Sequence, residues 1–107
     1  MKIDNQQLAS IIEKCFDYAM TEGVEEDTKK IFGAIGKRLR GNLLNLISAE
    51  FEASTDQFQE ASKELTKVNV ILQNDATVLS NVADTLDQLN KLASILDELL
   101  KVAISFV

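Results

Sequence analysis

Few side chains in this sequence could carry out chemistry. Its 107 residues include one cysteine, Cys15, and no histidine. A nucleophilic cysteine or serine needs a base beside it, usually a histidine. Cys15 lies between Ile12 and Phe16 on an apolar stripe, so we interpret it as a small buried hydrophobic residue. Zinc requires several cysteine or histidine ligands, and no calcium-loop pattern is present. We therefore predict no metal, no cofactor and no enzymatic activity.

Pairs of carboxylates are the remaining candidates for acid–base chemistry. Glu60 and Glu64 are neighbours on one predicted helix, and Asp84 and Asp87 on another. Such pairs act as acid and base when they are buried close together. Here the apolar pattern places both pairs at the rim or in solvent, which indicates solvated charge.

The basic residues are distributed unevenly along an acidic chain. Seventeen acidic and eleven basic residues give a net charge of −6, yet no acidic residue occurs between Asp27 and Glu50. Five bases form a patch in this part of the chain: Lys29, Lys30, Lys37, Arg38 and Arg40. The amphipathic segment 29–47 could lie on an anionic membrane surface. The alternative is a packed helix whose basic rim faces acidic helices of its own domain or of a second copy.

Nucleic-acid binding is not expected. The stretch from Gly33 to Gly36 matches the G-x-x-G loop that clamps a nucleic-acid backbone over four residues only. That loop needs surrounding strands, and the sequence predicts none.

The elements that must position these residues are helices. The sequence has no proline, and Gly41 is its last glycine, so we predict an all-α fold in a single domain, residues 1–107. A first helix spans about residues 5 to 21, with Asp4 as N-cap and Gly23 as the residue that ends it. A second helix follows and ends or kinks at Gly41-Asn42.

An apolar heptad repeat extends from Leu44 to the end of the chain. The repeat has two rows of apolar positions, and the second row is interrupted by Asp75, next to Asn74. We therefore predict a long antiparallel helical hairpin that starts at residue 42 and turns near Asn74-Asp75, which brings residue 44 opposite residue 105. A single continuous helix about 99 Å long is the alternative.

The shape of the predicted hairpin indicates that the protein binds a second copy of itself. Its arms would project beyond a compact domain of this size, and the two shorter N-terminal helices would leave an apolar edge exposed. The residues of this predicted interface are Phe51, Phe58, Leu65, Val68, Leu79, Val82 and Leu86. We expect a homodimer built on this edge.

The functional prediction is a non-enzymatic interaction protein that self-associates or docks a partner protein. The alternative is a peripheral membrane-surface protein that uses segment 29–47. Because no stretch resembles a signal peptide or a membrane span, we expect a cytoplasmic location.

Overall fold

Helices account for most of the fold, and the all-α prediction is confirmed. The structure, a computed structural model, describes residues 1–106. The elements are α1 (Asn5–Ala19), α2 (Glu26–Leu46), β1 (Ala49–Glu50), α3 (Asp56–Leu72), α4 (Asp75–Ser80), α5 (Val82–Leu100) and β2 (Ser105–Phe106). The two short strands pair with each other in antiparallel orientation.

The first helix begins where its sequence indicates. The Asp4 side chain accepts a hydrogen bond of 3.0 Å from the Gln7 backbone N–H, as an N-cap should. Ile3 and Leu8, on either side of this cap, are both buried. The helix ends at Ala19, slightly earlier than expected, and Gly23 takes its positive φ of 87° in the following loop.

The second helix does not end at Gly41-Asn42, and that prediction is wrong. It continues to Leu46 because Asn42 is buried and Leu39 and Leu46 are fully buried. Burying these side chains stabilises the helix by more than the ~1 kcal/mol that one glycine costs. The first arm of the hairpin therefore begins at Asp56 rather than at residue 42.

The predicted turn near Asn74-Asp75 is present, so the continuous helix is excluded. The Asn74 side chain caps α4 by accepting a hydrogen bond from Thr77 N–H at 3.1 Å, and a second break at Asn81 precedes α5. The turn thus contains a short helix of six residues. Glu64 and Lys91, whose charged groups are 3.5 Å apart, connect the two arms.

The hairpin does not project from the molecule, contrary to expectation. Its arms have 17 and 19 residues, about 26 and 29 Å of helix, within a molecule 44 Å long. Both α1 and α2 pack along it, since α1 contacts α2 and α3 while α5 contacts α2 and α3. The four longer helices therefore enclose one shared core.

The two ends of the C-terminal region meet at one base of the molecule, as the sequence suggested. Ala49 pairs with Phe106 and Glu50 with Ser105. The expected partners were residues 44 and 105. The pairing is displaced because α2 is longer than expected and β1 follows it.

Two glycines of α2 allow a direct test of this packing. A Cβ at Gly36 would lie 3.1 Å from ring atoms of Phe16, whereas a Cβ at Gly41 would meet nothing within 4 Å. We expect Gly41→Ala to raise the free energy of unfolding by about 0.5–1 kcal/mol, because alanine favours the helix. Gly36→Ala should bring no gain, or a loss of up to about 2 kcal/mol, because the added methyl group overpacks the contact with α1. Urea denaturation measures both, and equal stabilisation by the two changes would contradict the contact at Gly36.

Candidate interaction surface

Most of the predicted interface is buried inside the molecule. Phe51, Phe58, Leu65 and Val68 are at most 7% exposed, so the expectation that they form an exposed edge is wrong. The physical reason is that α1 and α2 cover the hairpin along its length. The remaining three residues differ: Val82 and Leu86 are partly buried and Leu79 is 48% exposed.

Leu79 and Val82 line a shallow cavity of about 380 Å³ at the end of the molecule opposite the two strands. The other lining residues come from the loop between α1 and α2 and from the start of α2: Glu22, Gly23, Val24, Glu25 and Thr28. The cavity therefore has an acidic rim.

The predicted basic patch divides into two groups. Lys29 and Arg38 form ion pairs, Lys29 with Glu26 at 3.4 Å and Arg38 with Asp97 of α5 at 2.8 Å. Lys30, Lys37 and Arg40 are exposed, and none of them forms an ion pair with another residue in the range 1–106. The Arg40 guanidinium lies over the Phe16 ring, 5.6 Å from its centroid. Lys30 and Lys37 are therefore on the solvent side of α2, while Arg40 packs against α1.

The solvent side of α2 is a continuous stripe. Its members recur at steps of three and four residues and are all exposed: Lys30, Ala34, Lys37, Gly41 and Leu44. The opposite side of the helix is buried in the core through Phe32, Ile35, Leu39 and Leu46. Leu44, the last member of this stripe, is 70% exposed.

Helix α1 carries a matching stripe that sequence reasoning missed. Its members, again three or four residues apart and all exposed, are Gln6, Ala9, Glu13, Asp17 and Met20, the last being the C-cap that follows the helix. Ser10, Lys14 and Tyr18, on another side of the helix, make hydrogen bonds to the segment from Leu72 to Asp75. The exposed stripe therefore faces away from α3 and is acidic where the stripe of α2 is basic.

The two stripes lie side by side. Helices α1 and α2 are antiparallel, and Ala19 and Phe16 of α1 approach Gly33 and Gly36 of α2. We call the surface formed by the two stripes the outer face. Within residues 1–106, its Met20 and Leu44 are the two most exposed large apolar side chains, at 74% and 70%. The outer face thus combines exposed apolar groups with one acidic and one basic row.

Cys15 lies beneath this surface and is not part of it. The side chain is fully buried, as its place on the apolar stripe predicted. Burial raises the pKa of the Cys15 thiol to about 12. A thiol with this pKa is protonated at neutral pH and is a poor nucleophile.

A polar cluster at the junction of α1 with α4 was also missed. The Tyr18 hydroxyl donates to Asp75 Oδ1 at 2.6 Å, and Lys14 Nζ donates to the same oxygen at 3.0 Å. Burial, together with the hydrogen bond to Asp75, raises the pKa of Tyr18. The hydrogen bonds from Tyr18 and Lys14 hold the pKa of Asp75 below its usual range. The cluster attaches α1 to the start of α4, and it explains the polar residue that interrupts the apolar heptad.

The carboxylate pairs considered above lie on α3 and α5. Asp84, Asp87 and Glu60 are exposed, while Glu64 is half-buried next to Lys91. Between these helices is an open groove of about 370 Å³, lined by Gln57, Glu60, Lys91, Ser94, Ile95 and Glu98. Across residues 1–106, no three histidine, cysteine, aspartate or glutamate side chains are grouped so that they could hold a metal ion.

Comparison with known proteins provides no relative for this chain. No family model matches it, and neither does any curated protein or solved structure. Among the helices of residues 1–106, none combines the length and the apolar character needed to cross a bilayer.

Proposed function

We propose that this protein is a non-enzymatic interaction protein that associates with other protein molecules, its own copies included, through the outer face. The observation that carries the proposal is the position of Met20 and Leu44. Large apolar side chains scattered singly over a surface need no explanation. These two lie on one face, at opposite ends of its two stripes and in line with charges of opposite sign, and their burial in a complex would contribute favourable free energy.

The exposed apolar residue of α3 does not belong to a comparable surface. Val70 is 67% exposed on α3, but its exposed neighbours along the helix, Thr66, Lys67 and Gln73, are polar. An interaction surface normally combines apolar anchors with a charged rim that excludes wrong partners. The outer face has both features.

The test compares two variants with matched exposure. Sedimentation equilibrium of the unmodified protein between 1 and about 200 μM should show reversible self-association. We expect Leu44→Gln to weaken it about tenfold, because an exposed apolar contact is lost. Val70→Gln replaces an equally exposed residue on α3 and should leave the dissociation constant within about twofold. An unchanged constant in Leu44→Gln would contradict the assignment of the outer face.

A second candidate function is binding to an anionic membrane surface. It is supported by a further apolar group at the base, where Ile47, Ile104 and Phe106 are more than half exposed near the end of the basic helix α2. Each cation close to an anionic bilayer contributes about 1 kcal/mol. Co-sedimentation with vesicles that contain phosphatidylserine, at low and high salt, tests this function, because electrostatic binding falls with ionic strength.

A further inference from the structure

We infer that the outer face binds the outer face of a second copy, with α1 of each copy lying on α2 of the other around a twofold axis parallel to the helices. This inference rests on the proposed function and adds the partner, the orientation and the contacts. Its evidence is the distribution of charge on the outer face and the register of α1 against α2.

The orientation follows from the charges. The exposed charged residues of the α1 stripe, Glu13 and Asp17, are acidic, and those of the α2 stripe, Lys30 and Lys37, are basic. Two such faces can meet with twofold symmetry in two ways. An axis perpendicular to the helices would place α1 on α1 and α2 on α2, so that like charges meet. An axis parallel to the helices places α1 on α2 twice, so that opposite charges meet.

The register follows from the symmetry. Rotation about an axis parallel to the helices leaves every residue at its own height along that axis. Each residue of α1 therefore faces the residue of the second copy's α2 that lies at the same height. That residue is equivalent to the one beside it on its own α2. Those levels are known, because Gly33 approaches Ala19, and Gly36 and Arg40 approach Phe16.

The levels match in chemistry over the part of the stripes from Ala9 to Met20. Continuing the antiparallel register places Glu13 near the level of Arg40 and Asp17 near that of Lys37. The apolar residues match as well, since Met20 is level with Gly33 and Ala34, and Ala9 is level with Leu44. Met20 and Leu44 thus each meet small residues of the other copy, and Asp17 meets Lys37. Arg40, which is level with Glu13, lies at the edge of the outer face.

Gly41 fits the same arrangement. A glycine inside a helix costs about 1 kcal/mol relative to alanine, and no contact within the molecule requires it, since a Cβ there would meet nothing within 4 Å. At the level of Glu13, the absence of a side chain allows a second helix to approach closely.

The size of the surface predicts a weak complex. Helix α1 has 15 residues, about 22 Å of helix, and two adjacent helices cover a width of about 20 Å. Each copy would bury roughly 450 Å², which is at the lower end of specific interfaces. A dissociation constant in the micromolar range is therefore expected.

The test is a charge exchange followed by sedimentation equilibrium. Lys37→Glu and Asp17→Lys each replace two symmetry-related attractions by repulsions, and each should weaken the dimer about tenfold or more. The double variant restores opposite charges and should return to within about threefold of the unmodified protein. Lys67→Glu on α3 and Asp87→Lys on α5 change the net charge by the same amounts away from the outer face, and should have little effect.

The outcomes separate this inference from the proposed function. If the protein dimerises but the double variant is not rescued, the orientation is wrong and self-association stands. If the protein is monomeric at 200 μM, self-association fails and the inference fails with it. If Asp17→Lys increases binding to vesicles with one third phosphatidylserine while no variant alters a monomeric mass, the face binds lipid and the inference is overturned.

Discussion

Replacing Leu65 by alanine is expected to lower the free energy of unfolding by about 2–5 kcal/mol. Leu65 lies in the middle of α3 and is fully buried. Its truncation removes apolar contacts and leaves a cavity in a core to which all four longer helices contribute. A cavity at such a position cannot collapse without moving a helix, so the loss should be in the upper part of the range for core leucines. Urea denaturation followed by far-ultraviolet circular dichroism measures it.

Two comparisons make this expectation specific. Leu86 occupies an equivalent heptad position on α5 but is only partly buried, so Leu86→Ala should cost clearly less than Leu65→Ala. Glu60→Ala, at an exposed position of α3, should change stability by less than about 0.5–1 kcal/mol. Equal losses of stability in Leu65→Ala and Glu60→Ala would mean that the side of α3 carrying Leu65 is not buried.

The sequence predicted correctly what depends on local patterns. The cap at Asp4 and the turn near Asn74 are formed by side chains that bond to the backbone within three residues. The heptad repeat likewise indicated that Phe58 and Leu65 face a partner. These features are decided within a few turns of helix, so one sequence contains the information.

The identity of the partner that covers the heptad face was not predictable in this way. An apolar stripe shows that something covers it, but it does not show whether that is another part of the chain or a second copy. Here α1 and α2 cover it, because α2 continues past Gly41 and its last turns bury Leu46. The end of α2 is decided by tertiary burial, which outweighs the local preference of glycine and asparagine.

Only the basic half of the outer face, on α2, could be predicted from the sequence. The basic residues of α2 were conspicuous because no acidic residue interrupts them. The acidic stripe of α1 has an ordinary composition. It can be recognised as part of an interaction surface only from its position next to α2. Its one detectable signal is the spacing of Glu13, Asp17 and Met20 at steps of four and three residues. Ion pairs between distant segments, such as Arg38 with Asp97, leave no signal in a single sequence.

The second large effect on stability is expected at Asn42. The sequence predicted a helix end or kink there, whereas the structure has a buried polar side chain within the helix. Asn42 is 6% exposed, and its Nδ2 donates to the carbonyl oxygen of Ala93 on α5 at 3.5 Å. We expect Asn42→Asp to lower the free energy of unfolding at pH 7 by about 2–4 kcal/mol. The new carboxylate would lose its hydration and face a carbonyl oxygen to which it has no proton to donate.

The effect should depend on pH in a direction that identifies its cause. Burial raises the pKa of the introduced carboxyl group in the folded protein above its unfolded value of about 3.9. Below that unfolded value the group is protonated in both states, so the loss relative to the unmodified protein should be smallest there. The loss should grow as the pH rises from the unfolded pKa to the folded pKa, because over this range the unfolded chain has released a proton that the folded chain retains.

Asn45→Asp is the matched control. Asn45 is on the same helix, one turn nearer its C-terminus, and is exposed. A carboxylate there meets the unfavourable end of the helix dipole more directly, yet it remains hydrated, so it should cost less than about 1 kcal/mol with little dependence on pH. Because charge, helix and dipole are shared, the difference between the two variants isolates the burial of residue 42 against α5. Equal losses in the two variants, or a loss at Asn42 that does not change between pH 4 and pH 7, would show that α2 does not pack on α5 at this position.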